Sequence, residues 1–343
     1  MSTPTETSQD EKIVLAHGGG GELTRRLVAE RIMPKLGNKL LNPLTDSAVL
    51  TTNKGQISFT TDAYVVQPLE FPGGDIGRLA VCGTVNDLAV MGAFPKVISL
   101  ALVIEEGLSL SVLDRIVDSI ADAAKEAEVI VATGDTKVIE HRQGDGMTIT
   151  TAGVGEMLEG IELSTERITP GDVIIVTGNI ADHGLAVMSA REGLAFETEL
   201  ESDVAPLNHL IGGMLKQGAE LKFLRDPTRG GLAGVLADLA EDTGYSVEIE
   251  EDKIPVSRIA RHTAELLGLD VLTVANEGKC VAVVSEHDAD RVLKTCCEHR
   301  YGKNAAVIGR ITESAPPLVE LITRSGGRRL VQRPYGEELP RIC

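Results

Sequence analysis

The sequence has no tryptophan, few other aromatic residues and a shortage of basic residues. Its four tyrosines and five phenylalanines are too few to predict a platform on which bases would stack. The 33 lysines and arginines stand against 51 aspartates and glutamates, which gives a net charge of −18. A field of that sign repels nucleic acid and anionic membranes. We therefore expect neither nucleic acid nor an anionic membrane as a partner. A small anionic substrate is expected to bind only together with bridging cations.

Long apolar runs, paired cysteines and the common nucleotide motifs are also missing. The apolar runs are too short to span a bilayer. Residues 1–12 lack the apolar region of a signal peptide, so they are predicted to be a disordered leader of a cytoplasmic protein. The five cysteines are odd in number and include no CxxC pair, which predicts reduced thiols rather than a zinc site. Without GxxxxGK[ST], or GxGxxG between a strand and a helix, neither a P-loop nor a Rossmann site is indicated.

The length and an apolar fraction of 43% predict two globular domains. Strand-like and helix-like segments alternate in both halves, which predicts an α+β fold. A polar break at 156–172 separates a first domain, 13–156, from a second, 157–323. The segment 324–343 is rich in arginine, proline and glycine and is predicted to be a mobile tail.

Two helices of the first domain are predicted from their apolar spacing. Apolar residues recur at i, i+3 and i+4 over 109–127, which is typical of an amphipathic helix. A second amphipathic helix is predicted over 22–33, ending before Pro34.

Several acidic residues stand where an apolar strand ends or a helix begins. Buried charge without compensation is costly, and hard carboxylate oxygens favour Mg²⁺. Any one of them is also explained as a helix cap or a solvated loop residue. Together they predict a shared site for metal and phosphate, made by Asp46, Asp62, Asp87, Asp135 and Asp226.

Cations and glycines accompany these acids. Lys137 follows Asp135 by two residues, and Arg229 stands beside two glycines at a predicted helix start, where backbone N–H groups attract phosphate. The glycine run after His17, which includes Gly19 and Gly20, would close over a polyphosphate or would serve only as a flexible loop.

Two further residues are candidates for the chemistry. Glu277 lies between the apolar stretch VLTVA and the strand KCVAVV, where a carboxylate serves as a general base or is merely a solvated turn residue. The sequence ends on Cys343, whose thiolate would be its reactive form. A neighbouring Arg341 would favour that thiolate, whereas the alternative is a frayed tail that happens to end in cysteine.

Taken together, these segments resemble the HypE family of hydrogenase maturation proteins. The similar stretches follow the family's order from residue 16 to 343, and the terminal PRIC is the most specific of them. They are AHGGGG, DSAVL, TTDAYVVQPLEFPGGDIGRLAVCGTVNDLAVMGA, VATGDTKV, RDPTRGGLA, LGLDVLTVANEGK and PRIC. The wider superfamily includes aminoimidazole ribonucleotide synthetase, selenophosphate synthetase and thiamin-phosphate kinase.

The resemblance implies a two-domain, aminoimidazole ribonucleotide synthetase-like (PurM-like) fold. The first domain should pair with its copy in a homodimer and close a β-barrel across the interface. ATP should lie in a groove near that interface. The second domain should be α+β and supply Asp226, Arg229 and Glu277.

The resemblance also implies a reaction and its partners. A carbamoyl group on the sulfur of Cys343 would be dehydrated with ATP to a thiocyanate, a donor of cyanide to the iron of [NiFe]-hydrogenases. The expected partners are the carbamoyltransferase HypF and the HypC–HypD iron scaffold. The implied roles are Cys343 as acceptor thiol, Glu277 as base, and Lys137 as the residue that steadies the transferring phosphoryl group or helps to shuttle protons. The residues implied at the nucleotide are Asp62, Asp135, Thr136, Lys137, Arg229, Gly19 and Gly20. Those implied at Mg²⁺ are Asp46, Asp62, Asp87 and Asp226.

Two alternatives remain at the level of sequence. One is another ATP-dependent enzyme of the superfamily, of the selenophosphate synthetase or thiamin-phosphate kinase type. A selenophosphate synthetase is disfavoured because the loop HGGGG has no neighbouring cysteine. The other alternative is a thiol carrier without enzymatic activity, against which the acid-rich loops argue.

Overall fold

The structure, a computed structural model, describes residues 12–193, 200–336 and 342–343. The predicted leader therefore lies outside the described residues except for its last residue, Lys12. Five residues of the predicted tail, 337–341, lie outside them as well. No helix within the described ranges is long and apolar enough to cross a bilayer.

The first half of the described chain is built on one mainly antiparallel sheet. Its strands are β1 (Ala48–Thr52), β2 (Gly55–Tyr64), β5 (Ala93–Glu105), β6 (Ile130–Ile139) and β7 (Met147–Met157), and the short strands β3 (Glu70–Phe71) and β4 (Gly74–Asp75) form a separate pair. The order within the described sheet is β1-β2-β7-β5-β6, and only β5 and β6 are parallel. β6 therefore lies at one edge.

Two long helices pack on this sheet. They are α3 (Ile76–Val90) and α4 (Leu110–Ala127), and they also contact each other. The predicted helix at 109–127 is confirmed, and its apolar face buries Ile116 and Ile120. The carboxylate of Asp75 accepts the first free N–H groups of α3 at 2.7 and 2.9 Å, which fixes where that helix begins.

The predicted end of the first helix before Pro34 is wrong. A short helix α1 (Glu22–Leu27) continues through a wider turn at Val28–Ile32 into α2 (Met33–Leu36). Pro34 lies in the first turn of α2. The wider turn before it, in which the N–H of Met33 donates to the carbonyl of Val28, takes the place of the regular helical hydrogen bonds that a proline interrupts.

The second half forms a larger mixed sheet with helices around it. In the described chain the strand order is β14-β13-β10-β12-β8-β11-β9. The strands are β8 (Val173–Val176), β9 (Leu221–Arg225), β10 (Ser246–Glu250), β11 (Val281–Val284), β12 (Ala306–Thr312), β13 (Val319–Ile322) and β14 (Arg328–Val331). The helices are α5 (Asp182–Arg191), α6 (Asn208–Lys216), α7 (Gly231–Thr243), α8 (Arg258–Leu267) and α9 (Ala289–Glu298). Apolar side chains from both faces of this sheet form two buried clusters.

The tail begins later than the composition predicts. The expected mobile segment starts at residue 324, but β14 pairs antiparallel with β13. Beyond β14, the backbone carbonyl of Pro334 accepts a hydrogen bond from the N–H of Glu22 at 3.0 Å. The predicted start of the tail is therefore wrong, because the chain as far as Gly336 is held by strand pairing and by α1. We call residues 328–336 the stem.

Asn86, which is buried in α3, makes hydrogen bonds from the first half to the second. Its side-chain oxygen accepts the N–H of Leu207 at 2.7 Å. Its amide group donates to the carbonyls of Ala205 and Glu277 at 3.1 and 3.2 Å. All of these polar groups are satisfied across the junction, so Asn86 fixes the loop of Glu277 beside the next residue of α3, Asp87.

Candidate active site

A cleft between the two halves brings together six of the twelve residues that the sequence predicts to be functional. Both halves contribute to its lining: Asp62, Ala63, Tyr64, Gly83 and Asp87 come from the first, and Asp226, Thr228, Arg229, Glu277 and Cys343 come from the second. The cleft is therefore rich in acids, with a guanidinium and a thiol among them.

Two acids of the first half, Asp62 and Asp87, line the cleft, and a third, Asp46, lies near enough for its charge to act on Asp87. Asp46 precedes β1, Asp62 lies in β2 and Asp87 lies in α3. The hydroxyl of Thr60 lies 2.8 Å from a carboxylate oxygen of Asp87 and 2.9 Å from the backbone oxygen of Asp46. The hydroxyl of Tyr64 lies 3.2 Å from a carboxylate oxygen of Asp62. Thr60 thus links Asp46 and Asp87, and the charge of Asp62 acts on both of them.

Asp226 joins this cluster from the loop after β9. The loop is held by Asn276, whose backbone N–H and side-chain amide both donate to the carbonyl of Pro227, at 3.0 and 2.9 Å. Burial, with the charge of Asp46 as the next cause, raises the pKa of Asp226 to about 7. Burial and the charges of Asp62 and Asp226 raise the pKa of Asp87 well above its usual range. Asp46 has a cationic partner, the Arg225 guanidinium at 3.3 Å, and the raised pKa values of Asp87 and Asp226 show that further positive charge would stabilise their ionised forms.

The acid cluster fits Mg²⁺ that binds together with a nucleotide. Its donors are hard carboxylate oxygens, and their mutual repulsion would be relieved by a divalent cation. No three His, Cys, Asp or Glu side chains in the described ranges are arranged to hold a metal ion by themselves. That arrangement is compatible with Mg²⁺, which retains water and uses one or two carboxylates plus phosphate oxygens.

Cys343 lies in the same cleft, beside Glu277. Burial raises the pKa of the Cys343 thiol to about 12, and the charge of Glu277 adds to this while Arg229 opposes it. Glu277 is only 2% exposed, and one of its carboxylate oxygens, Oε1, has no hydrogen-bond partner among the described residues. Burial, followed by the charges of Asp226 and Asp203, raises the pKa of Glu277 well above its usual range.

Arg229 supplies positive charge at the opening of α7. The residue after it, Gly230, has a φ of 80°, which glycine adopts without strain. The Arg229 guanidinium donates to the carbonyl of Gly18 at 3.2 Å. A Cβ on Gly20 would lie 2.5 Å from the Cβ of Arg229, so the glycine run containing Gly19 and Gly20 lies against this arginine. Their nucleotide role stays a prediction.

The segment containing Asp135, Thr136 and Lys137 does not line the cleft. All three residues are exposed on the edge strand β6, where the Lys137 ammonium lies 3.1 Å from an Asp135 carboxylate oxygen. The expectation that the strand ends before Asp135 is wrong, because β6 continues to Ile139. Within the described ranges, the outer side of β6 has no partner strand.

The sequence did not point to several residues that support the site. Asp203 accepts the backbone N–H of Glu277 at 3.1 Å and pairs with the Lys279 ammonium at 3.1 Å. A Cβ on Gly278 would lie 1.7 Å from the carbonyl oxygen of Asp203, so the backbone approach requires glycine. The glycine of NEGK was a signal of this approach, but no pattern near Asp203 indicated its partner.

The comparisons with known proteins agree with this architecture. Residues 44–157 match the N-terminal domain, and residues 169–319 the C-terminal domain, of AIR synthase related proteins. A thiamine monophosphate kinase from Aquifex aeolicus has the same fold, with a TM-score of 0.64 at 17% identity, covering 90% of this chain and 99% of that one. The predicted two-domain, PurM-like α+β fold is thereby confirmed, and the chain is a protein of the AIR synthase related class.

Closer similarities single out one family in this class. The carbamoyl dehydratase HypE of Azotobacter vinelandii is 44% identical over 96% of this chain and 97% of that protein. A chain in the crystal structure of a HypE–HypF complex has a TM-score of 0.85 and 45% identity, covering 90% of this chain and 99% of that one. A HypE structure in complex with ATP has a TM-score of 0.81 and 39% identity, covering 97% and 100%. The chain belongs to the HypE family of hydrogenase maturation proteins, as the motifs predict.

Proposed function

We propose that this chain is the ATP-dependent carbamoyl dehydratase of [NiFe]-hydrogenase maturation. It would convert a carbamoyl group on the sulfur of Cys343 to a thiocyanate, which donates the cyanide ligands of the Fe(CN)₂CO centre. The observation that carries the proposal is the position of Cys343, inside an acid-lined cleft and beside Glu277 and Arg229. Relatives named carbamoyl dehydratase and a relative structure in complex with ATP support it.

The cleft provides what this dehydration requires. The amide oxygen is a poor leaving group, so it attacks the γ-phosphorus of ATP, ADP departs, and the oxygen then leaves carbon as phosphate. Two N–H protons are lost as the C≡N bond forms. The Arg229 guanidinium lies where it can orient phosphate oxygens, and Asp46, Asp62, Asp87 and Asp226 would hold Mg²⁺ and nucleotide. When bound, Mg²⁺ neutralises charge on the transferring phosphoryl group.

Glu277 is the proposed base for the nitrogen protons. The raised pKa of its carboxyl makes the ionised form a stronger proton acceptor than an exposed glutamate. Its carboxylate oxygen Oε1 has no partner among the described residues and is free to take a proton from substrate. Arg229 lies close enough to favour the ionised form.

We propose a homodimer in which the unit 13–156 provides the interface. The support is β6, an edge strand that exposes apolar side chains, with Ile130 and Val138 66% and 69% exposed. Unpaired edges of this kind join other strands readily. Pairing with a second copy would close the barrel that the family resemblance implies. It would also bring Asp135, Thr136 and Lys137 toward ATP near the interface. In a single chain these three residues are exposed and do not line the cleft.

HypF is the proposed source of the carbamoyl group, and the HypC–HypD complex the proposed acceptor of cyanide. The structural similarity to a chain of a HypE–HypF complex supports the first of these partners. A thiol carrier without activity would need no acid cluster like that around Asp87 and Asp226. A small-molecule kinase would not need a cysteine in the cleft.

Intact-mass measurement tests the proposed function directly. The purified chain would be incubated with its carbamoyltransferase, carbamoyl donor and ATP. We expect first the mass gain of a carbamoyl group and then the loss of one water, both in the peptide that ends with Cys343. ATP consumption with phosphorylation of an added small molecule and no change in protein mass would instead support the kinase alternative.

Asp87→Asn should weaken the binding of nucleotide while it stabilises the ligand-free protein. The substitution removes one of several mutually repelling acids, so we expect the melting temperature of the ligand-free protein to rise by about 2 °C. We also expect Mg²⁺-dependent ATP affinity to fall at least about tenfold. Calorimetric titration and thermal unfolding measure the two effects. Asp118→Asn, the same change at an exposed position of α4, is the control, and unchanged ATP affinity in Asp87→Asn would refute the metal role.

A further inference from the structure

The buried His183 contacts the chain immediately before Cys343, and the proposed reaction has not used it. Its Nε2 lies 2.9 Å from the carbonyl oxygen of Ile342, and its Nδ1 lies 2.8 Å from the hydroxyl of Ser202. A carbonyl oxygen only accepts hydrogen bonds, so Nε2 must carry the proton. Burial lowers the pKa of His183, which favours the neutral ring with a single N–H. Nδ1 is then the acceptor.

The hydrogen bonds of Ser202 agree with this assignment of the His183 proton. Its hydroxyl oxygen accepts the backbone N–H of Val204 at 3.1 Å, which leaves the hydroxyl proton for Nδ1 of His183. The backbone N–H of Ser202 is itself bonded to the carbonyl of Pro72 at 2.8 Å. Every polar atom in this chain of contacts has a partner, so the imidazole is held in one orientation, aimed at Ile342.

An apolar contact accompanies the polar one. The Ile342 side chain is 3% exposed and belongs to the same hydrophobic cluster as Tyr64 and Phe71. The Phe71 ring meets the His183 imidazole edge to face, with 5.5 Å between ring centroids. We call His183, Ser202 and the apolar site around Ile342 the latch.

The latch and the proposed base are supported by the same short segment. Ser202 orients His183, and the next residue, Asp203, accepts the backbone N–H of Glu277 at 3.1 Å. The side-chain oxygen of Asn276 accepts the N–H of Ala181 at 2.7 Å, which ties the start of α5 to the loop of Glu277. The sulfur-bearing residue and the base are therefore positioned from one part of the backbone.

We propose that His183 is a positioning residue that holds the Ile342 carbonyl and thereby places the sulfur of Cys343 beside Glu277. The proposal rests on the proposed function only in taking the cleft-bound sulfur as the reacting one. Removing the Nε2 donor leaves a buried carbonyl without a partner, which shifts the equilibrium toward release by roughly tenfold. The reaction of the Cys343 thiol with an alkylating agent measures that release.

The first test is the rate at which iodoacetamide alkylates Cys343 in the full chain, followed by peptide mass spectrometry. His183→Phe keeps the ring but not the donor, and we expect alkylation to be about tenfold faster. His183→Gln offers an amide N–H and should restore a rate near that of the unsubstituted chain. The exposed Cys297 serves as the internal reference, and continued protection of the buried Cys82 shows that the fold is intact.

The second test is dehydration of the carbamoylated chain in a single turnover at saturating ATP. We expect His183→Phe to be about tenfold slower, with ATP affinity unchanged, and His183→Gln to recover most of the rate. Ser202→Ala should cause a smaller change of the same sign in both tests, because it removes only the partner of Nδ1.

Unchanged Cys343 alkylation in His183→Phe would overturn the latch. Faster alkylation with undiminished dehydration would overturn the claim that the latched state is the reacting one. If the unsubstituted chain showed no dehydration at all, the proposed function would fail, while the alkylation rates would still decide whether His183 holds the tail.

Discussion

Cys343→Ala is expected to bind ATP normally and to take up no carbamoyl group. The substitution removes the sulfur that we propose carries the carbamoyl group, so the whole reaction should be lost rather than slowed. The substitution removes none of the acids and leaves the Arg229 side chain in place, so the groups that would hold Mg²⁺ and phosphate are all still present in the cleft. Uptake of labelled carbamoyl from the transferase and ATP affinity by calorimetry are the two measurements.

Cys297→Ala is the matched control for that experiment. It makes the same change at an exposed cysteine of α9, and we expect full carbamoyl uptake and full conversion to thiocyanate. A Cys343→Ala chain that still incorporated labelled carbamoyl would place the acceptor elsewhere. Loss of ATP binding in the same variant would show that the residue supports the nucleotide site rather than only carrying the substrate.

Glu277→Gln is expected to stop the reaction one step later. The variant should accept the carbamoyl group and bind ATP, but dehydration should slow by roughly 10²- to 10⁴-fold, the contribution typical of a positioned acid or base. Glutamine has nearly the same shape and leaves the backbone contacts of Glu277 to Asn86 and Asp203 intact. The carbamoylated chain should therefore accumulate, visible by mass as a gain without the later loss of water.

Glu277→Gln should also affect thermal stability, because it removes a buried carboxylate that lies among other acids. Since the pKa of Glu277 is raised by burial and by neighbouring acids, Glu277→Gln should unfold at a temperature equal to or above that of the unsubstituted chain. Glu159→Gln, at an exposed position, should change neither property. Normal loss of water in Glu277→Gln would mean that another group takes the protons.

The sequence predicted the components of the site better than their arrangement. Acids such as Asp62, Asp87 and Asp226 are visible as local patterns, because each stands between an apolar run and small residues, although Asp87 lies in the last turn of α3 and not at a helix start. Which of them meet depends on how the two sheets pack, and spacing along the chain carries no information about that. The family resemblance implied that these acids share one ATP site. The structure brings them together with Glu277 and Cys343.

The wrong predictions have a common physical cause, which is that the deciding contacts are remote in sequence. Gly134 and Asp135 are typical of a turn, but pairing with β5 extends the strand through them. The stem was expected to be mobile because it is rich in arginine and glycine, whereas its neighbours β13 and α1 supply hydrogen-bond partners that order it. His183 was inconspicuous because its importance lies in a contact with Ile342, remote in sequence.

The anchored stem sets how far the reactive sulfur can travel. Seven peptide units link Gly336 to Cys343, so the backbone of Cys343 can lie no farther than about 24 Å from the end of the stem. A covalent connection of that length keeps the sulfur at a high effective concentration near the cleft, so its binding there is intramolecular and independent of protein concentration. It also obliges every enzyme that loads or unloads this sulfur to approach the rim of the cleft itself. In the proposed reaction, the donor of the carbamoyl group and the acceptor of the cyanide would therefore use the surface around the stem in turn.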